Sequence, residues 1–88
     1  MNSANIDLVL PFSFTRRNLS EIVRKMSTIK SNVIMIKGGR SAQMKSILGL
    51  VSLCCNQGDE VEIVCMSRDG SAESDLKLVV QILKESEL

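Results

Sequence analysis

The sequence predicts an α+β fold: an open-faced β-sandwich whose four-stranded, mostly antiparallel sheet is covered on one face by three helices, in the order β-α-β-β-α-β-α. Three observations carry this. Apolar residues recur at every second position in some segments and at every third or fourth in others, the spacings of half-buried strands and amphipathic helices. Gly38-Gly39 stands between two strand-like runs, and glycine reaches the positive φ that a two-residue hairpin needs. Each helical segment has one apolar face, which must be buried against one side of the sheet.

The elements follow in order. Ile6, Leu8 and Leu10 alternate with Asp7 and Val9 as in a strand, and Pro11 ends it or places it at an edge. Phe12 to Thr15 is a connection. From Arg16 the period changes: Leu19, Ile22, Val23 and Met26 fall on one side of a helix running to about Thr28. Thr15 can cap this helix, and Asn18 with Glu21 offers a rival register. Val33 to Ile36 is a short apolar strand, and Arg40 to Met44 returns after the glycine pair. Ser46 is the expected N-cap of a short helix through Ile47, Leu48, Leu50, Val51 and Leu53, ended by Asn56-Gln57-Gly58. Val61, Ile63 and Cys65 alternate as the fourth strand, and Arg68-Asp69-Gly70-Ser71 is a turn. The last helix uses Ala72, Leu76, Val79, Val80 and Leu83 as its apolar residues, with Glu73 and Asp75 in its first turn and Lys84 in its last, the order its dipole favours.

Composition narrows the function. The 88 residues allow one domain, 1–88, with a single core and little room for an elaborate active site. The net charge of +1 argues against direct nucleic-acid binding and against a membrane-surface role. With Phe12 and Phe14 as the only aromatic residues, base-stacking platforms are not expected. There is no histidine, so no Ser-His or Cys-His nucleophile pair can form within the chain and no imidazole can ligate a metal or carry a phosphoryl group. No enzyme activity and no cofactor are expected. Cys54, Cys55 and Cys65 fit neither a disulfide framework nor a Cys-x-x-Cys site. Each is expected to be a buried or half-buried small hydrophobe in a reducing cytoplasm, with a thiol sensor as the alternative reading. No secretory signal and no membrane span are visible, so a cytoplasmic location is expected. Glu60 and Glu62 share one strand face and are expected to face solvent rather than to form a catalytic pair. Met26, Met35, Met44 and Met66 are expected to fill the core or its edge.

The element order, together with Lys45-Ser46-Ile47-Leu48-Gly49-Leu50-Val51-Ser52-Leu53, resembles the HPr family, the histidine-containing phosphocarriers of the bacterial sugar phosphotransferase system. The resemblance covers nearly the whole chain. In that family the second helix begins with a regulatory serine, and Ser46 holds the matching position. The family's other motif, Gly-x-His-Ala-Arg-Pro, opens the first helix and carries the histidine phosphorylated by enzyme I. Here the segment is Ser13-Phe14-Thr15-Arg16-Arg17-Asn18. Phe14 and Arg17 match, Thr15 replaces the histidine, Arg16 the alanine and Asn18 the proline. A histidine-lacking member with an intact serine segment also resembles Crh, an HPr paralogue of that kind, although its replacement residue is not threonine.

The resemblance implies a regulatory, protein-binding adaptor of carbon catabolite control, switched by phosphorylation of Ser46. Implied partners are HPr kinase, a LacI-type catabolite regulator and other phosphotransferase-system proteins. Phosphohistidine passes its phosphoryl group onward, whereas a phosphothreonine ester does not, so the relay role does not carry over to Thr15. A phosphate on Ser46 would bring about −1.5 to −2 charge to a helix N-terminus that favours an anion. Ile47, Leu48 and Val51 would give an adjoining apolar patch. Thr15, Arg16 and Arg17 are the expected partner or anion contacts: two arginines in a first turn oppose the dipole by about 0.3–1 kcal/mol each, which an anion on a partner would relieve. The alternative is a binding module or decoy for phosphotransferase-system proteins that works without phosphorylation. An edge strand leaves dimerisation by strand exchange open.

Overall fold

The structure is a computed structural model that describes residues 2–86. Its elements are β1 (Asn2–Val9), α1 (Arg16–Met26), β2 (Asn32–Lys37), β3 (Arg40–Gln43), α2 (Ile47–Ser52), β4 (Glu60–Ser67) and α3 (Ala72–Glu85). The strands form one sheet in the order β1-β4-β2-β3, and every pairing is antiparallel. Val33 and Met35 of β2 and Val61, Ile63 and Cys65 of β4 point to the same face. There they meet Leu19, Ile22 and Met26 of α1, Leu50 of α2, and Ala72, Leu76, Val79 and Leu83 of α3 in one buried cluster. The other face is open. This is the predicted open-faced sandwich in the predicted order.

The ends of elements depart from the sequence expectation, each for a local reason. β1 begins at Asn2 rather than at Ile6, because its polar first half is held by pairing with β4 (Asn2 opposite Ser67, Ala4 opposite Cys65) rather than by hydrophobic alternation. Ile6 faces the core side yet stays 39% exposed, because β1 is an edge strand. α1 stops at Met26, short of Thr28: the hydroxyls of Ser27 and Thr28 donate back to the carbonyls of Arg24 and Lys25, both at 2.7 Å, in competition with the helix ladder. α2 ends at Ser52, well before Asn56-Gln57-Gly58. The break is made by Cys54, which holds φ +52°, while Gly58 at φ +90° serves the next turn.

Two further expectations are corrected. Cys55 and Cys65 are buried, but Cys54 is exposed, because the left-handed residue turns out of the helix instead of continuing its apolar face. Met26, Met35 and Met44 are fully buried as expected. Met66 lies on the open face of a central strand, so it is neither core nor edge. Burial pushes the Cys65 thiol up to about 11, with the nearby Asp75 carboxylate acting in the same direction. Glu60 and Glu62 share the open face as expected, and Glu62 accepts a hydrogen bond from the Asn5 amide at 2.8 Å.

The entry to α1 is fixed by Thr15 and Asn18 together, which settles the register. Thr15 is the N-cap: its Oγ1 accepts from the Asn18 amide at 3.2 Å. The buried Asn18 side chain answers by accepting from the Thr15 amide at 2.8 Å, and its Nδ2 donates to the Ser13 carbonyl at 2.9 Å. At α3 the cap comes from far away in sequence: the Ala72 amide donates to Asn2 Oδ1 at 2.9 Å. The turn before α3 is organised by Ser67 and Asp69. Hydrogen bonds from the Ser67 and Ser71 hydroxyls, and from the Ser71 amide, lower the Asp69 carboxyl to about 2.

Two outcomes are expected. Asn18→Ala should cost about 1–3 kcal/mol, because it strands the Ser13 carbonyl and the Thr15 amide, and Thr15→Ala only about 1 kcal/mol. Urea denaturation checks this, and equal midpoints for the two variants would refute the role given to Asn18. Asp69 has a folded pKa below its unfolded value of about 3.9, so its contribution is complete above about pH 4 and is lost as pH falls through about 2. Asp69→Asn should therefore flatten the stability curve between those values. A curve parallel to that of the wild type in acid would contradict it.

Candidate functional site

The start of α1 is docked onto the segment that follows α2. The Phe14 amide donates to the Cys55 carbonyl at 3.1 Å, and the Gln57 amide donates to Ser13 Oγ at 2.9 Å. The rings of Phe12 and Phe14 lie 6.0 Å apart and tilted, with Phe12 buried below. These contacts set the first turn of one helix beside the last turn of the other.

The C-terminal end of α2 has no basic residue of its own in its last turn. Lys37, at the end of β2, supplies the charge. Its Nζ donates to the Leu53 carbonyl at 3.1 Å and the Cys54 carbonyl at 2.6 Å, and it pairs with Asp59 at 2.9 Å. A cation on the last carbonyls of a helix complements its dipole. The Asp59 carboxylate raises the Lys37 pKa, and Lys37 with the Asn56 amide lowers that of Asp59. Lys37 and Asn18 position the site without lining it, and sequence reading missed Lys37 in that role because its partners lie far along the chain.

Between the two helices is a depression of about 420 Å³. Thr15 and Arg16 line it from α1, Ile47 and Val51 from α2, and Phe14 and Cys54 from the adjoining turns. Four of the expected site residues therefore meet. Arg17, Ser46 and Leu48 do not line the depression. Leu48 is 82% exposed, Val51 53% and Ile47 44%, so α2 presents an apolar ridge to solvent. Cys54 was expected to be a buried or half-buried hydrophobe and reaches this rim only through its positive φ, for which cysteine carries no sequence signal.

The charge on the α1 side is positive. Its first turn contains no acidic residue, and Arg16 and Arg17 are exposed and take part in neither of the two ion pairs found among the described residues. Thr15 offers a hydroxyl whose oxygen already accepts the cap hydrogen bond. Among the described residues there is no cluster of metal-ligating side chains.

Ser46 is the N-cap of α2, half-buried, with its Oγ accepting from the Gly49 amide at 3.1 Å. Gly49 permits the close approach: a Cβ there would lie 3.2 Å from Ala42 Cβ and 3.4 Å from Ser46 Oγ. Lys45 is turned away, its Nζ donating to the Ile29 carbonyl at 2.6 Å and the Ser31 carbonyl at 3.0 Å. An anion on Ser46 would be met by backbone amides rather than by this lysine.

The family model described as the PTS HPr component phosphorylation site matches residues 4–85. No curated protein matched the sequence. Solved structures share the fold. The histidine-containing phosphocarrier protein of a mycoplasma superposes with a TM-score of 0.82 at 18% identity, over 94% of each chain. HPr-C-His from Thermoanaerobacter tengcongensis gives 0.77 at 23% identity, over 100% of each chain. Crh of Bacillus subtilis, a catabolite-repression protein crystallised as a swapped dimer, gives 0.73 at 24% identity, over 94% of this chain and 93% of that one. No helix among the described residues is long and apolar enough to cross a membrane. With its family match running from β1 to the end of α3, the chain belongs to the HPr family of the phosphotransferase system, a family of carriers rather than enzymes.

Proposed function

We propose that this chain is a regulatory protein-binding adaptor of the phosphotransferase system, a single cytoplasmic domain controlled by phosphorylation of Ser46, and that it relays no phosphoryl group. The observation that carries this reading is the pairing of a threonine at the head of α1 with a capping serine at the head of α2. Thr15 would form a stable ester if phosphorylated. Ser46 stands beside the exposed ridge of Ile47, Leu48 and Val51, so a phosphate there would alter the charge next to an apolar contact surface. HPr kinase would add it, and a LacI-type catabolite regulator would read it. Arg16 and Arg17 would meet acidic groups of the partner, with Thr15 and the ridge completing the contact.

A second reading rests on the orientation of Lys45. No lysine turns toward Ser46 from the adjacent position, and the Ser46 oxygen is already engaged by Gly49. A phosphorylation-independent binding module or decoy would use the same ridge and the same arginines.

Intact mass separates these readings. After incubation with HPr kinase and ATP, the first expects one added phosphate, absent in Ser46→Ala; after enzyme I with phosphoenolpyruvate it expects none. No addition in either reaction supports the decoy reading, and transfer from enzyme I would overturn both. For the α1 contacts, Arg17→Ala should weaken binding to enzyme I about three- to tenfold at low salt and reduce its salt dependence. Calorimetry at two ionic strengths checks this, and unchanged affinity at both would remove Arg17 from the interface.

A further inference from the structure

The sequences of β2 and β4 contain more apolar residues than the covered face uses. Val33-Ile34-Met35-Ile36 and Ile63-Val64-Cys65-Met66 are continuous apolar runs. An antiparallel strand with one face in water alternates, whereas a strand buried on both faces reads as such a run. The helices account for Val33, Met35, Ile63 and Cys65, which are fully buried. Ile34, Ile36, Val64 and Met66 point the other way, half-buried, with Ile34 directly opposite Val64 across the two central strands. Among the described residues no helix packs on that side of the sheet.

The ends of this open face carry opposite charges. Asp7, Glu60 and Glu62 gather near the end where β4 begins, around a shallow concavity floored in part by Ile36. Lys30 and Arg68 stand at the other end, beside Asn32 and Met66. Asp69 is also there, with its carboxylate taken up by the hydroxyls of Ser67 and Ser71. None of these six charged groups belongs to the ion pairs found among the described residues.

We propose that this open face docks on a second copy of the same chain. A two-fold axis lying between the sheets and running across the strands brings the acidic end of each copy over the basic end of the other and the four apolar side chains together in the middle. The same face is used by both copies, as an isologous contact requires. An axis running along the strands would stack acid on acid and is excluded by repulsion. The face measures about 27 Å by 19 Å from its strand length and spacing, roughly 500 Å² in projection. That falls below the ~800 Å² per partner of a standard stable interface, so the contact is a reversible dimer rather than an obligate one. The helical face stays free in this dimer, and the proposal does not depend on what that face binds.

Sedimentation equilibrium of the full chain between about 10 µM and about 1 mM tests it, a range suited to small, weak interfaces. The wild type should show a monomer–dimer equilibrium that weakens as salt is raised. Val64→Lys should remain monomeric. Asp7→Lys with Glu60→Lys, and separately Lys30→Glu with Arg68→Glu, should each raise the dissociation constant about tenfold or more, and all four together should restore it to within about threefold. All four charge positions are exposed, and circular dichroism confirms that each variant folds. A monomer throughout the range overturns the proposal. So does a dimer indifferent to Val64→Lys, which places the contact elsewhere, or a quadruple variant no better than the two doubles, which removes the two-fold arrangement.

Discussion

The constraint on which the molecule depends is that its hydrophobic cluster has only one sheet face to close against. Each large side chain that leaves water there contributes about 1.5–3 kcal/mol, so the packing of Ile22, Met26, Met35, Ile63 and Val79 outweighs any single hydrogen bond. With all three helices on the same side, their axes are fixed by the core, and their ends become the adjustable parts. The polar contacts that matter most to the site are therefore at helix ends: the Thr15–Asn18 pair and Lys37 on the carbonyls after α2. Each is worth about 1 kcal/mol or somewhat more. Their larger effect is geometric, since they hold two helix ends close enough to share one surface.

That surface combines features of different physical kinds. Arg16 and Arg17 put positive charge at a helix start whose dipole is already positive, an arrangement that water tolerates and an acidic partner rewards. The ridge on α2 is apolar and exposed, and its most prominent residue, Leu48, touches no part of the depression beside it. Gly49 is what lets the ridge sit so near the sheet, because a side chain at that position would press on Ala42. Charge, apolar contact and the Ser46 hydroxyl lie on neighbouring turns, with no imidazole among them.

The order of the elements was legible because it depends on spacing, and spacing is local. Leu19, Ile22 and Met26 report a helix, and Val61, Ile63 and Cys65 a strand, whatever lies around them. The ends were less legible because they are decided by competition or by distant partners. Ser27 and Thr28 have the right neighbours for a helix and break it with their own hydroxyls. Asn2 to Asn5 have no strand pattern and become one through β4. Of the site, Thr15, Arg16, Ile47 and Val51 could be read in advance and do meet. The capping role of Asn18 was half visible, as a rival register. The role of Lys37 was not visible, since a lysine at a strand end says nothing of carbonyls that lie 16 and 17 residues later. Cys54 was hidden by its own chemistry, because a thiol next to a helix reads as core.

The sheet order has a consequence for how the chain is made. β1 hydrogen-bonds to β4 alone, so this strand finds its partner only after residues 60–67 have been synthesised. By then β2 and β3 can already have closed their short hairpin. Until then the segment Asn2–Val9 is an unpaired strand, the kind of segment that invites pairing with the wrong chain. Its composition suits the wait: Asn2, Ser3 and Asn5 are polar, Asp7 is charged, and the apolar residues are confined to its second half apart from Ala4. The weak sequence pattern that hides the start of β1 from a reader of the sequence is also what keeps the nascent strand from adhering to its neighbours.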